Sequence, residues 1–307
     1  MSQLKETPSQ LSIQSYVMNF PYTLSTTNPN NRWMEEMKPE ELTINKKKAY
    51  NQWMDLYTTL ASGSVVNLLP SEGNFQDLTY VANMGIHLPH IKDKNLIVLS
   101  NFTSPPRVGE ELVGKKYFEM MGYETIISPH KFEGEADLKY LRDNVYIGGW
   151  GQRTDPETYD WMVENLGMEI LDLEMVDDYL YHLDCTVFPI TSESVIMCSE
   201  MYDEKEIKQI EKYAEIIDIN EDDAMGGLTN SVRMGNLILC GSNIHELKKN
   251  SEDYPYEKDK INTLEKICAD FGMEPILVNL SEYLKSGAML SCLVFHTNRV
   301  SQLKPLI

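Results

Sequence analysis

Positive charge is what this sequence has least of. Its 27 Lys and Arg face 47 Asp and Glu, for a formal net charge of −20. A nucleic-acid backbone or an anionic membrane needs basic surface, so neither is expected as a partner. A small cation suits such a chain, because an acidic mouth raises the local cation concentration. Cysteine is sparse and unpaired in pattern: Cys185, Cys198, Cys240, Cys268 and Cys292 are an odd number, scattered, with no CxxC spacing. That argues against a disulfide framework or a zinc site and for a reducing, cytoplasmic setting. No apolar run approaches the roughly 20 residues of a membrane helix. The opening "MSQLKETPSQLSIQSYVM" has no basic stretch followed by an apolar core, so no secretory leader is expected. With 42% apolar and 24% charged residues in 307, a soluble globular protein remains.

What is present is a recurring unit. Residues 1–45 are polar and rich in Thr, Asn and Pro, and read as an extended lead-in to a domain over 46–307. The amphipathic "NKKKAYNQWMDLYTTLA" predicts a helix before the short apolar strand "SVVNLLP". Thereafter strand pairs alternate with single helices. "LTYVANMGIHL" pairs with "NLIVLSNF", and "DLKYLRDNVYIGGWG" forms a hairpin turning at Asp143-Asn144. "YHLDCTVFPI" pairs with "SVIMCSE", "GGLTNSVRMG" with "NLILCGSN", and "MLSCLVFHTN" closes the chain. A doubly wound parallel sheet would not show so many hairpins. About five strand-pair/helix units in one closed α/β domain fit instead.

Within this frame a few residues carry chemistry. Of six histidines, His182 alone has a carboxylate two residues on, Asp184. On a strand both would face one way. A strand histidine is more often structural than catalytic. Cys185 would then point to the opposite face and serve packing. Cys292 lies in an apolar strand after a glycine-containing turn, where most cysteines are inert small hydrophobes. In "KFEGEADLKYL", Glu133, Glu135 and Asp137 alternate. As a regular strand they would share a face, an arrangement that a cation offsets, though a solvated edge strand explains it equally. Asp77 and Asn83 are again an even number apart, while Asn31 in "NNRWM" and Arg153 in "GWGQRTD" could each reach a ligand.

Taken in order, "NNRWM", "DLTYVANMG", "FEGEAD", "GGWGQRTD", "YHLDC" and a C-terminal "SC" resemble the amidinotransferase/dimethylarginine dimethylaminohydrolase superfamily, and within it the arginine dihydrolase-like branch. The resemblance runs from about Pro29 to about Asn298 and implies a five-bladed α/β propeller of ββαβ units, the pentein fold. It implies a guanidino substrate with no metal and no cofactor, and leaves room for a homo-oligomer. Cys292 would be the nucleophile, His182 the general acid/base, and Glu133 or Glu135 its orienting acid, with Glu133 favoured. Asp77 and Asp184 would hold guanidinium nitrogens, with Asn31, Asn83 and Asp137 counted among the substrate-binding residues. Arg153 would hold an α-carboxylate. Asn101 and Thr103 stand where arginine-handling relatives carry a second arginine. The implied reaction takes arginine to ornithine, carbon dioxide and ammonia through a covalent thiouronium. A deiminase, an amidinotransferase and a catalytically silent binding protein are the alternatives.

Overall fold

The computed structural model describes residues 6–300. Their strands form five sheets of three, and each sheet repeats one pattern. An antiparallel pair is followed by a helix, which returns the chain parallel to the second strand. Strands β3 (Gly85–His87) and β4 (Leu96–Leu99) pair antiparallel, the helix Glu110–Met120 crosses over, and β5 (Glu124–Ile127) lies parallel to β4. The pattern recurs in β6 (Leu138–Arg142), β7 (Val145–Trp150) and β8 (Glu169–Glu174), and in β9 (Val187–Pro189), β10 (Ser194–Met197) and β11 (Glu215–Asp218). It recurs again in β12 (Val232–Met234), β13 (Leu237–Gly241) and β14 (Glu274–Val278). This is the five-bladed α/β propeller.

The remaining blade joins the two ends of the chain. β1 (Ser15–Asn19) is its middle strand, antiparallel to β15 (Phe295–His296) and parallel to β2 (Val65–Leu69). The boundary expected near residue 45 is therefore corrected. Residues 15–19 are buried throughout and belong to the propeller. Sequence composition hid them, because the polar flanks outweigh one short strand.

Each helix covers its blade through a separate apolar cluster. Lys46–Ala61 turns Ala49, Trp53, Leu56 and Leu60 inward at helical spacing, against Tyr16, Met18 and Val278. Asn45 caps it, accepting from Lys48 N at 3.1 Å. Each such large apolar side chain, fully buried, contributes roughly 1.5–3 kcal/mol.

The decisive departures from expectation are local. Four stretches that read as strand contain a 3-10 turn just before the first strand of a blade: Val81–Met84, Gly134–Ala136, Leu183–Cys185 and Ser291–Leu293. Those first strands, β3, β6, β9, β12 and β15, gather around the common axis. Their preceding turns thus meet at one end of it. In the block 132–137 the cause is Gly134, whose φ of +63° leaves the extended region. At Asp143, φ of +46° makes the expected hairpin turn between β6 and β7.

Two glycines separate conformational strain from close approach. A Cβ on Gly134 would stand 2.6 Å from both Ala82 O and Gly85 N, whereas one on Gly167, at φ +64°, meets nothing within 4 Å. Gly134→Ala should cost roughly 2–4 kcal/mol, left-handed strain plus overpacking, and Gly167→Ala roughly 1–2 kcal/mol. Urea unfolding of the two variants checks this; equal losses would mean that the turn at Gly134 yields.

Candidate active site

The site is built around one buried charge. Glu133 is fully buried. His182 Nε2 lies 3.0 Å from its Oε2 and Arg153 Nη1 3.3 Å from its Oε1. The Asn83 amide nitrogen is 3.4 Å from Oε2 and 3.5 Å from His182 Nε2. Burial pushes the Glu133 carboxyl up, but Arg153 and the bond to His182 more than reverse this and hold it below the usual carboxylate range. Arg153 also donates to Asn30 O and stacks on Tyr181, its guanidinium carbon 4.7 Å from the ring centroid.

Cys292 faces this group from the turn Ser291–Leu293. Asn230 holds that turn, accepting from Ser291 N at 2.8 Å, with its own amide nitrogen 3.9 Å from Cys292 Sγ. Ser291 Oγ donates to Asp184 Oδ2 at 2.7 Å. Burial, and then the charge of Asp184, push the Cys292 thiol up to about 12. Near neutral pH it carries its proton.

Asp77, Asn83, Glu133, Arg153, His182 and Cys292 line one pocket of about 30 Å³. Asn30, Glu133 and Arg153 are shared with a wider cavity of about 540 Å³. Asp77 accepts from Asn30 Nδ2 at 2.7 Å, and burial raises its carboxyl despite the nearby Arg107. Asn31 lines the pocket as a helix cap, accepting from Met34 N at 3.0 Å and donating to Ser286 O at 2.9 Å.

Three expected placements are corrected. Glu135 does not approach His182; it pairs with His296 Nδ1 at 2.7 Å and Arg299 Nη2 at 2.8 Å. Asp137 lies behind the pocket, accepting from Thr154 Oγ1 at 2.7 Å and Leu183 N at 3.3 Å, and so props the loop of His182. Both follow from the 3-10 turn at Gly134, which sends the three carboxylates in different directions. Asp184 is not in the pocket wall but directly behind Cys292, also because its segment turns. Cys185 packs against the apolar cluster of Leu180 and Phe188, with its Sγ 3.8 Å from Asp184 Oδ1.

The sequence reading passed over Asn30, Asn230, Tyr181 and Lys131. Asn230 left no signal, since "GGLTNSVRMG" reads as plain hairpin. Lys131 could have been found from the arginine that position 103 lacks. It lines the wider cavity together with Thr103 and Arg153, and its Nζ donates to Gln152 O at 2.8 Å. Asn101 instead bonds across to Phe132 O and Ser128 O. Among the described residues no cluster of His, Cys, Asp and Glu could hold a metal ion, and no helix is long and apolar enough to cross a membrane.

No protein-family model matches the chain. Individual proteins do. It is 26% identical over 280 residues to the N(G),N(G)-dimethylarginine dimethylaminohydrolase of Mycobacterium tuberculosis, covering 90% of this chain and 83% of that one. The uncharacterized protein YkgA of Bacillus subtilis is 30% identical over 257 residues, 82% of this chain and 81% of its own. The bifunctional arginine dihydrolase/ornithine cyclodeaminase AgrE of Nostoc is 26% identical over 269 residues, 86% of this chain. The chain spans only 35% of AgrE's length. The solved structure of unliganded AgrE superimposes with a TM-score of 0.79 over 92% of this chain and 39% of that one, at 26% identity. The chain belongs to the amidinotransferase/dimethylarginine dimethylaminohydrolase superfamily.

For this superfamily member the raised thiol gives a direct test. Alkylation of Cys292 by iodoacetamide should keep rising with pH beyond 10, without the plateau of an ordinary thiol near 9. Asp184→Asn removes the neighbouring negative charge, so the thiolate becomes easier to form and alkylation at pH 8 should quicken by about tenfold, one pKa unit. A plateau below pH 8 in the unsubstituted protein would contradict the electrostatics described.

Proposed function

We propose that the chain is a cysteine-dependent hydrolase of a guanidino substrate, L-arginine first, taken through to ornithine, carbon dioxide and two ammonia with two waters consumed. The observation that carries this reading is the convergence of Cys292, the His182–Glu133 pair and Asp77 on one pocket, with Asp184 directly behind the thiol. The names of AgrE and of the mycobacterial relative support the substrate class. The five free cysteines support a reducing cytoplasm as its setting.

A guanidinium carbon is a poor electrophile because its charge is delocalised, so a thiolate suits the attack. Carboxylates that hold the planar cation orient the carbon for approach perpendicular to its plane. Asp184 is part of what holds the thiol up. A cation entering above it offsets that field, so the substrate itself lowers the thiol pKa. Sγ then bonds to the guanidinium carbon, His182 takes up the thiol proton, and the proton leaves with ammonia. Water, deprotonated by His182, releases the thiouronium as citrulline. Asn83 favours a second round. An amide can donate to and accept from a neutral ureido group, whereas a carboxylate gains little from it. The ureido carbon loses its second ammonia in the same way, and the carbamate left on the δ-nitrogen decomposes to carbon dioxide and ornithine.

Mass spectrometry of products from arginine, agmatine and dimethylarginine tests this. Ornithine should form from arginine, and Asn83→Asp should shift the product towards citrulline. Stoichiometric citrulline with no ornithine from the unsubstituted protein would leave a deiminase. Cys292→Ser should lose all measurable turnover, and His182→Ala at least ~100-fold.

Arg153 and Lys131 are proposed to share the α-carboxylate, Lys131 supplying the positive charge that Thr103 does not. Arg153→Ala should raise KM for arginine about tenfold or more relative to agmatine, which has no carboxylate, since a charged hydrogen bond contributes roughly 1.5–3 kcal/mol. Lys131→Met should act in the same direction. Equal effects on the two compounds would give both residues a structural role only.

A further inference from the structure

Glu135 leads away from the active site into a second chamber on the axis. Glu135, Lys139, Arg233, Ser291, His296 and Arg299 are among the residues lining a cavity of about 30 Å³. A water needs roughly 10–15 Å³ on this measure, so the cavity holds one large atom or an ion of a few atoms.

Its charge is unbalanced. Lys139, Arg233 and Arg299 bring three cations, and Glu135 brings one carboxylate, held below its usual range by Arg299 and His296 against the effect of burial. Burial also pushes the His296 imidazole down, towards its neutral form. Arg233 is 4% exposed and donates to the carbonyls of Gly235 and Ile190. Among the described residues it has no carboxylate within ion-pair distance. Arg299 is 6% exposed, and among the described residues its Nε and Nη2 have no hydrogen-bond partner. Nη2 makes an ion pair to Glu135 at 2.8 Å. A buried guanidinium with an unused donor is costly unless an acceptor meets it. In a chain of net charge −20, an enclosed cationic chamber is the reverse of the background.

We propose that this axial cavity is a binding site for a small monovalent inorganic anion of halide size, held by Arg299, Arg233 and Lys139. The site backs directly onto the nucleophile. Ser291 lines the cavity and bonds Asp184, and Lys139 Nζ stands 3.9 Å from Asp184 Oδ2. An anion here draws Lys139 from Asp184 and adds negative potential beneath the pocket, so it strengthens cation binding there. This last step rests on the guanidino reading of the active site; the anion site itself does not.

The test replaces sodium gluconate by sodium bromide at constant ionic strength on the full chain. Thermal unfolding should shift upwards and saturate, the folded-to-unfolded ratio gaining about a hundredfold at 100 times Kd. Arg299→Gln should weaken the half-saturating concentration at least tenfold. Because that variant also strips Glu135 of a partner, bromide anomalous scattering from crystals of the unsubstituted protein supplies an independent readout, with a peak expected between Arg299 Nε and Arg233. An unsaturable shift, or a cavity without a peak at saturating bromide, would overturn the site. With bromide bound, KM for arginine should fall several-fold; an unchanged KM would overturn the coupling alone. Failure to turn over any guanidino compound while bromide still binds would instead sink the enzymatic reading.

Discussion

A carboxylate can be buried and charged only where cations and donors surround it, and Glu133 imposes that condition on everything near it. His182, Arg153 and the amide of Asn83 reach it from three different segments. Their positions are therefore not independent. Were Glu133 neutral, His182 would lose the acceptor that fixes its ring, and Arg153 a carboxylate partner. The fold supplies the meeting point: the turns that carry Asn83, Glu133 and His182 precede the inner strands, and Arg153 comes from the loop after β7, so blade geometry converts distant sequence positions into neighbours. Gly134, with backbone conformation closed to a Cβ by Ala82 and Gly85, is where that geometry is tightest.

The same electrostatics keeps the Cys292 thiol quiet without a ligand. Cys292 is covered and beside Asp184, and burial with that negative charge outweighs the opposing pull of Lys139 and of the Asn230 amide. A thiol in that setting stays protonated and so resists alkylation and oxidation, which need the thiolate. On the proposed reading, activation of the resting thiol depends on the charge of what first enters, whereas citrulline formed in place meets a thiolate already released by hydrolysis of the thiouronium. On the same reading, selectivity for a cation arises at the step that forms the thiolate as well as at the step of binding. The acidity of the pocket, which opposes thiolate formation when it stands alone, is what makes this dependence steep.

The sequence revealed the blades far better than the site's geometry. Helices such as Lys46–Ala61 and pairs such as β6–β7 have their periods written in apolar spacing and turn residues, and burial enforces both. The turns at 134–136, 183–185 and 291–293 do not. Each is about one turn long, lies against apolar strand residues, and carries polar side chains whose partners come from other blades. Nothing in a local period distinguishes such a turn from the strand it feeds. His182 and Asp184 were consequently singled out through a shared strand face that does not exist. One reaches Glu133 in the pocket, and the other stands behind Cys292. The residues were legible as chemistry and illegible as geometry. Asn230 was legible as neither, because its work is to hold a turn formed sixty residues later in the chain.

The block 132–137 shows what such a turn accomplishes. On a strand, Glu133, Glu135 and Asp137 would present three like charges to one solvent face, and their mutual repulsion would need a bound cation. The 3-10 turn distributes them instead. Glu133 goes to the active site, Asp137 to the backbone that supports His182, and Glu135 to the chamber of Arg299 and His296. Each then meets its own donors, and burial of all three becomes tolerable without a metal ion. Lys139, one helical or strand step further on, stands between the two chambers, within 3.9 Å of Asp184 and in the wall of the lower cavity. Residues 133–139 thereby put charge into both chambers: Glu133 into the pocket that Cys292 lines, and Glu135 and Lys139 into the wall shared with Arg233 and Arg299.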